Sequence, residues 1–460
     1  MKVLLVQSHL GRMKFSPPLF PIGLCYIATA LTKHDVRILD LNMWELSTAY
    51  EKLKEEIVNF SPNIVGISIR DIDTTNRSDI FYNFKTVKPT AQLIKKINPN
   101  IKLLVGGSGF SIFAQNIMER IPEFNFGIHL EGEESIPELL DHIDFPETVK
   151  GIFIRNNDST YFTGFRALPD FNNLPIPKRN ESLINIKPYI GAMDNNIGIQ
   201  SKRGCILNCA YCSYPFLSGK QLRLRSPEIV VDEIEYLISL GVKRFTFVDN
   251  IFNVPVSHSK EICEEIIKRG LDVEWSAWFE IKHTTEELML LAKKAGCKHF
   301  GFSPDGATNK TLSFLKKGIT EKDIEENLRM VRRIDGIKAG YNFFLMLPGM
   351  NLRDLIKTLI LYFKLPILLF GKGGGALLGW IRIEPHTKIH EFAVKEGILS
   401  QDTDLLPEDE KELIKLFYTN PKYRYIDLFL LFLVKLMENI VKPFAKFVIK
   451  GFPRSKGNSI

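Results

Sequence analysis

The chain reads as an α/β protein built from two consecutive α/β units and closed by a helical region. Three observations carry this reading. From residue 1 to about 150 short apolar runs alternate with helical patterns; six more strand-like runs, each followed by a helical pattern, fill 197–400; and a proline-rich stretch at 151–196 separates the two series.

Each element has its reason. In the first unit, 3–6, 64–69 and 103–105 are short apolar runs that read as buried parallel strands, and 23–32, 50–59 and 89–97 as the crossover helices between them. That pattern predicts a doubly wound, Rossmann-like sheet. Ligands of such sheets lie beyond the carboxyl ends of the strands, which here carry 7–11, 70–75, 106–110 and 131–134. Gly106, Gly107, Ser108 and Gly109 lie in one of these turns, where glycine lets backbone approach a bulky ligand closely. Pro169, Pro175, Pro177 and Pro188, set among Asn, Asp and Ser, predict that 151–196 is a linker with little regular structure. The six runs of the second unit, 197–201, 244–248, 273–279, 299–303, 339–346 and 377–383, predict a (β/α) barrel or an open portion of one, with chemistry at the strand carboxyl ends. The region 401–460 reads as helical. From Lys435 onward it has six basic residues and one acid, Glu438, which fits either a solvated helix docked on the barrel or a helix lying at a membrane surface.

Composition narrows the function. With 45% hydrophobic and 25% charged residues, disorder is excluded as the main state. A net charge of +7 over 460 residues is too small to mark a dedicated nucleic-acid binder. No charged segment followed by an apolar core opens the sequence, so a cytoplasmic location is expected, with membrane association through the C-terminal region as the variant. The longest purely apolar run near the end, 428–434, is far short of a spanning helix.

Six cysteines in such a chain argue against a disulfide framework. Cys25, Cys263 and Cys297 are scattered in apolar surroundings and read as buried small hydrophobes. Cys205, Cys209 and Cys212 form C-x3-C-x2-C directly after the first strand of the second unit. Three thiolates in one short loop can hold three irons of a cubane cluster and leave the fourth open. A structural zinc site is the alternative, but it wants four closed ligands, usually two separated pairs, and neither a second pair nor a loop histidine is present. Three unrelated buried cysteines fit poorly with the polar neighbours Lys202, Arg203 and Asn208.

With Tyr211 as the aromatic before its last cysteine, this loop resembles the signature of the radical S-adenosylmethionine (radical SAM) enzymes. Further segments resemble that family's six-stranded partial TIM barrel in the same order. Asp249 and Asn250 match the segment that holds the methionine amino group; Ser303 and Asp305 lie where the family carries Gly-x-Glu-Ser-Gly; Phe344 falls in the segment ending Leu-Pro-Gly near the adenine; and Glu384 begins Glu-Pro-His-Thr in place of Pro-Gly-Thr. The first unit resembles the cobalamin-binding domain that precedes the barrel in many members. The resemblance there rests on Pro21 to Ala28, Pro62 to Ser68, Gly106 to Gly109, and Glu131 with Gly132.

The resemblance implies a [4Fe-4S] cluster on Cys205, Cys209 and Cys212, S-adenosylmethionine bound near Tyr211, Asp249, Asn250, Ser303, Asp305, Phe344 and Glu384, and cobalamin near Gly106 to Gly109, Glu131 and Gly132. No Asp-x-His-x-x-Gly is present, and Ser8-His9-Leu10-Gly11 has the wrong spacing to replace it, which implies cobalamin without a protein histidine on cobalt. The implied reaction is cleavage of S-adenosylmethionine to a 5'-deoxyadenosyl radical followed by methylation of an unactivated carbon. Cyclisation or rearrangement is the alternative, and a corrinoid or metal sensor the non-enzymatic one. The implied partners are a small-molecule or lipid-like substrate and an electron donor such as flavodoxin or ferredoxin. No residue is singled out as catalytic.

Overall fold

The computed structural model describes residues 1–12, 18–190, 197–370, 372 and 375–436. Its first sheet has seven strands: β1 (Lys2–Gln7), β2 (Asp35–Asp40), β3 (Ile64–Ser68), β4 (Lys102–Gly106), β5 (Phe126–Ile128), β6 (Ile152–Asn156) and β7 (Ser159–Phe162), in the order β2-β1-β3-β4-β5-β6-β7. β1 to β5 are parallel, and β6 and β7 add an antiparallel hairpin at the edge. The sheet is covered on both sides by helices, so Val3 to Val6 and Ile64 to Ile67 are buried without alternation. The chain reverses direction across the sheet between β1 and β3, which opens a crevice at their carboxyl ends.

The stretch expected to be a linker from 151 therefore starts differently. Residues 152–162 belong to the first sheet, because Ile152, Phe153 and Ile154 bury against it, and Asn157 at φ +52° makes the turn of the hairpin. The proline-rich remainder, 163–190, does run as loops and single 3-10 turns.

The barrel strands are β8 (Gly198–Ile199), β11 (Arg244–Phe247), β12 (Glu274–Phe279), β13 (Cys297–Asp305), β14 (Lys338–Phe344) and β15 (Gly375–Gly379), with a small antiparallel pair, β9 (Lys202–Arg203) and β10 (Arg223–Leu224), beside the first. They pair in chain order and all in parallel, and β8 does not pair with β15, so the barrel is an open six-stranded one. Its core is aromatic: Phe245, Phe247, Phe252, Trp275, Phe279, Phe300, Phe302 and Tyr341 are buried together. Beyond 400 the helices Glu410–Lys415 and Arg424–Leu436 pack on the seam of the two units, and the basic tail from 437 lies outside the described residues.

Buried ion pairs tie the connecting stretch to the barrel and the C-terminal helix to the first unit. Arg179 and Arg225, fully buried, both reach the fully buried Glu233 at 2.5 and 3.1 Å. Arg77 pairs with Asp427 at 2.7 Å, and Asp427 also accepts from Trp380 Nε1 at 2.7 Å. Removing one member of such a group leaves an uncompensated buried charge, which costs on the order of 3–5 kcal/mol. Glu233→Gln is accordingly expected to lower the melting temperature by several degrees in calorimetry, since two guanidinium groups lose their only shared anion; an unchanged transition would mean that water or a rearranged side chain compensates them.

Candidate active site

The two sheets meet carboxyl end to carboxyl end. A cleft of about 760 Å³ between them is lined from the first unit by Gln7, Asn42, Arg70 and Asp73 and from the barrel by Gly198, Thr246, Val248 and Trp278. On the barrel side it adjoins a cavity of about 430 Å³ that holds Cys205, Cys209, Cys212, Tyr211, Ser303 and Lys317. On the other side a largely apolar cavity of about 280 Å³ runs between β1, β3, β4 and the helix Ile22–Ala30. Arg70 and Trp278 are shared by the cleft and the cysteine cavity, and Tyr214 lines all three spaces. The three therefore form one connected site at the domain junction.

Local chemistry shapes the cysteine loop. Gly204 sits at φ +85°, and a Cβ there would fall 2.0 Å from Gln221 O, so only glycine can lead from β9 into the loop. Cys205 N donates to Gly219 O at 3.1 Å, and Ala210 is pinned by Leu315 O and Ile389 N, both at 2.9 Å, which fixes the loop across the barrel mouth. All six cysteines are free thiols, but only these three share a cavity. Burial pushes their thiols up, Cys212 to about 12, while the Lys317 ammonium pulls each of them down. Cys25, Cys263 and Cys297 are fully buried elsewhere. Among the described residues no three His, Cys, Asp or Glu side chains converge on a point that one metal ion would fill. Ligands of a cubane stand apart at its corners, each on its own iron, and three thiols brought to one cavity by a single loop fit that need.

The other expected site residues have these surroundings. Asp249 is buried, and its carboxylate accepts from Ser201 N at 2.8 Å, Ser201 Oγ at 2.5 Å and Lys202 N at 3.2 Å. These bonds hold the turn before the cysteine loop, and the carboxylate lies in the wall of the cysteine cavity. Asn250 lines the cysteine cavity with its Nδ2 3.4 Å from Gly204 O. Asp305, at φ +64°, holds Tyr211 OH at 2.5 Å and Lys317 Nζ at 2.7 Å through one carboxylate oxygen, Oδ2. Phe344 packs edge-on against Tyr211 at 5.1 Å and supports that ring from behind. Glu384 is half-buried near Arg382, and desolvation holds its carboxyl above the usual range. Of this group Tyr211, Asp249, Asn250 and Ser303 line the cysteine cavity.

In the first unit, Gly106, Gly107, Ser108, Glu131 and Gly132 line the apolar cavity and Gly109 does not. Gly107, at φ +98°, would place a Cβ 2.5 Å from Ile69 O. Glycine is needed there for the close approach of the turn after β3. The cavity itself is open where Gly23 lacks a side chain, with nothing within 4 Å of its Cβ position. A cleft with an adjoining apolar cavity fits a flat macrocycle carrying a long appended group. His9 bonds through both ring nitrogens, to Trp44 O at 2.9 Å and Gly11 N at 2.7 Å, and so has no lone pair to offer a metal.

Two features escaped the sequence reading. Lys317 follows the helix Asn309–Phe314 with no motif around it, yet its ammonium, only 10% exposed, reaches the thiol cavity. Arg203 bridges Glu131 and Glu133 at 2.7 Å each, and Arg223 also holds Glu131 at 2.9 Å, so a carboxylate at the rim of the apolar cavity is tied to the strand that leads into the cysteine loop. Glu131 lies 72 and 92 positions from Arg203 and Arg223, so these links give no local signal.

Two family models match. Residues 199–361 match the radical SAM superfamily and residues 10–140 the B12 binding domain. An uncharacterized methyltransferase of Pyrococcus horikoshii is 26% identical over 385 residues, 82% of this chain and 79% of that protein. The anaerobic magnesium-protoporphyrin IX monomethyl ester cyclase of Cereibacter sphaeroides is 27% identical over 71% of this chain and 54% of its own length. The hopanoid C-3 methylase of Methylococcus capsulatus is 24% identical over 74% of this chain and 64% of its own. The chain thus spans about half of that cyclase and less than two thirds of that methylase. Among solved structures, the radical S-adenosylmethionine methyltransferase TsrM of Kitasatospora setae shares the fold, with a TM-score of 0.74 at 20% identity over 88% of this chain and 79% of that one. A B12 binding domain followed by a radical SAM barrel, with both sites facing one cleft, places this chain in the cobalamin-binding-domain family of radical SAM enzymes.

Proposed function

We propose that the chain is a cobalamin-dependent radical SAM methyltransferase acting on an unactivated carbon of a small, largely apolar molecule. The observation that carries this reading is the direct adjoining of the thiol cavity and the inter-unit cleft, joined by Arg70, Tyr214 and Trp278. Cys205, Cys209 and Cys212 would hold the [4Fe-4S] cluster, and the cleft with its apolar side cavity would hold the corrinoid. When bound, the cluster supplies the electron that cleaves the sulfonium of S-adenosylmethionine, and the corrinoid supplies the methyl group. The protein's own part is positioning and exclusion of water. Trp278, at the barrel mouth, lines the cleft, the thiol cavity and an interior space of about 320 Å³ floored by Ala277, Gly301, Gly340 and Ala376. That space, mostly apolar with His299 and Asn342 as polar groups in its wall, is where the substrate would sit within reach of both cofactors. Lys317 would hold the thiolates electrostatically and is itself held by Asp305.

The naming of two of the relatives as methylating enzymes supports methylation, and the likeness to a cyclase supports ring formation as the second reading. Anaerobic reconstitution with iron, sulfide and hydroxocobalamin, followed by mass spectrometry of cell extracts turned over with S-adenosylmethionine and reductant, separates them. A product heavier by one CH2 is expected; a product lighter by two hydrogens, or isomeric with its substrate, would assign the second reading instead. Neither the cleft nor the apolar cavity is lined by a histidine among the described residues. Electron paramagnetic resonance of the bound Co(II) corrinoid is therefore expected to lack splitting from an axial protein nitrogen, and a nitrogen signal that disappears on substitution of a histidine would contradict it.

A further inference from the structure

One surface of the barrel is hydrophobic where solvent should be. On the helix Leu352–Leu368 and the residues after it, Leu352, Ile356, Ile360, Phe363, Ile367 and Phe370 are spaced by three and four and are all exposed, rising to 77% at Ile367 and 89% at Phe370. This is one continuous helical stripe pointing outward, since the inner face of the same helix buries Leu355, Thr358 and Leu365. The helix Arg424–Leu436 repeats the pattern, with Tyr425, Leu428, Phe429 and Phe432 between 50 and 87% exposed. The two helices start side by side, where Asn420 Nδ2 donates to Met350 O at 3.1 Å. An apolar surface of this extent on a folded chain marks a docking site.

Its charge identifies what docks. From 355 to 383 the chain has no acid; of its four bases Lys357 and Lys364 are exposed, while Lys372 and Arg382 are largely buried on Asp335 and Asp73, and from 428 to 436 the second helix has Lys435 and no acid. The acids at the two helix starts are turned inward: Asp354 accepts from Asn351 N at 3.0 Å, and Asp427 is paired with Arg77. Lys357 and Lys372 have acid partners, Glu321 at 3.0 Å and Asp335 at 2.8 Å, whereas Arg353 and Lys364 have none among the described residues. A second copy would bring like charges together, and neither helix is long and apolar enough to cross a membrane. Two outward apolar stripes flanked by cations match the headgroup boundary of an anionic bilayer, where rings and aliphatic chains insert and the bases meet lipid phosphates.

We infer that the outer faces of the helices Leu352–Leu368 and Arg424–Leu436 seat this enzyme on the surface of an anionic lipid bilayer, a property independent of the reaction it catalyses. The test is cosedimentation of the full chain with vesicles of phosphatidylcholine alone or mixed with phosphatidylglycerol, comparing it with the triple variant Ile360→Glu, Ile367→Glu, Phe370→Glu. All three residues are exposed, so the variant should keep its melting temperature and its capacity for iron. The expected result is binding to the anionic vesicles only, weakened by added salt, and at least about a tenfold lower partition coefficient for the variant. Equal partitioning of the two proteins, or failure of the unaltered chain to bind anionic vesicles, overturns the inference. So does a dimer in sedimentation equilibrium that the triple variant abolishes, because the face would then belong to a second copy.

Discussion

Replacing Cys205, Cys209 and Cys212 together with alanine is expected to reduce the iron of the anaerobically reconstituted protein from about four per chain to background, and to abolish conversion of S-adenosylmethionine to 5'-deoxyadenosine. The three thiols are the only cysteines that share a cavity, and they sit on a loop pinned at Cys205 and Ala210 across the barrel mouth. Because three ligands are the fewest that an open-site cluster of this kind uses, each single substitution should already lower iron retention severely. Cys25, Cys263 and Cys297 are buried packing residues, and burial pushes the thiols of Cys25 and Cys263 up to about 12. Their replacement by alanine should cost stability through cavity formation but leave iron content unchanged. Iron binding that survives the triple variant, or is lost in a Cys263 variant, would mean that the cluster site lies elsewhere.

Removing the Lys317 ammonium should have the second largest effect. Lys317→Met leaves the buried Asp305 carboxylate without its partner at 2.7 Å, and breaking a buried pair in this way costs on the order of 3–5 kcal/mol. The same change removes the cation whose field favours the thiolate form of all three cysteines. Metal sites require deprotonated ligands, so cluster retention should weaken as well. A double variant, Asp305→Asn with Lys317→Met, separates the two effects. It removes both buried charges and is expected to recover most of the melting temperature while still losing iron faster than the unaltered chain during anaerobic dialysis against a chelator. Full recovery of iron retention in the double variant would reduce Lys317 to a structural counterion of Asp305.

Much of the site was legible because its signals are local. The C-x3-C-x2-C spacing is a property of eight consecutive residues, and the position of the loop after the first barrel strand follows from counting apolar runs. All six predicted barrel runs overlap the observed strands, in chain order, because buried parallel strands require contiguous apolar residues whatever surrounds them. The hairpin at 152–162 went unread for the opposite reason. It is an edge element of two short strands following a parallel sheet, and prolines farther along the same stretch dominated the pattern.

The sequence by itself determined the two-unit architecture, the three thiols, the packing role of the other cysteines and the lack of an Asp-x-His-x-x-Gly element, all of which depend on neighbours along the chain. Tertiary structure alone decided which polar groups are free to act. Asp249 and Asp305 keep the positions that the motifs assign them, and packing gives them partners that no motif announced, Ser201 and Lys202 in one case and Tyr211 and Lys317 in the other. Gly107 and Gly204 are fixed by the backbone of Ile69 and Gln221, and the links from Glu131 to Arg203 and Arg223 join residues some 70 and 90 positions apart. The physical reason is that hydrogen bonds and ion pairs are short-ranged and directional, so which partner a buried charge finds depends on distances of a few tenths of an ångström set by packing, whereas the burial of an apolar run depends only on its being apolar.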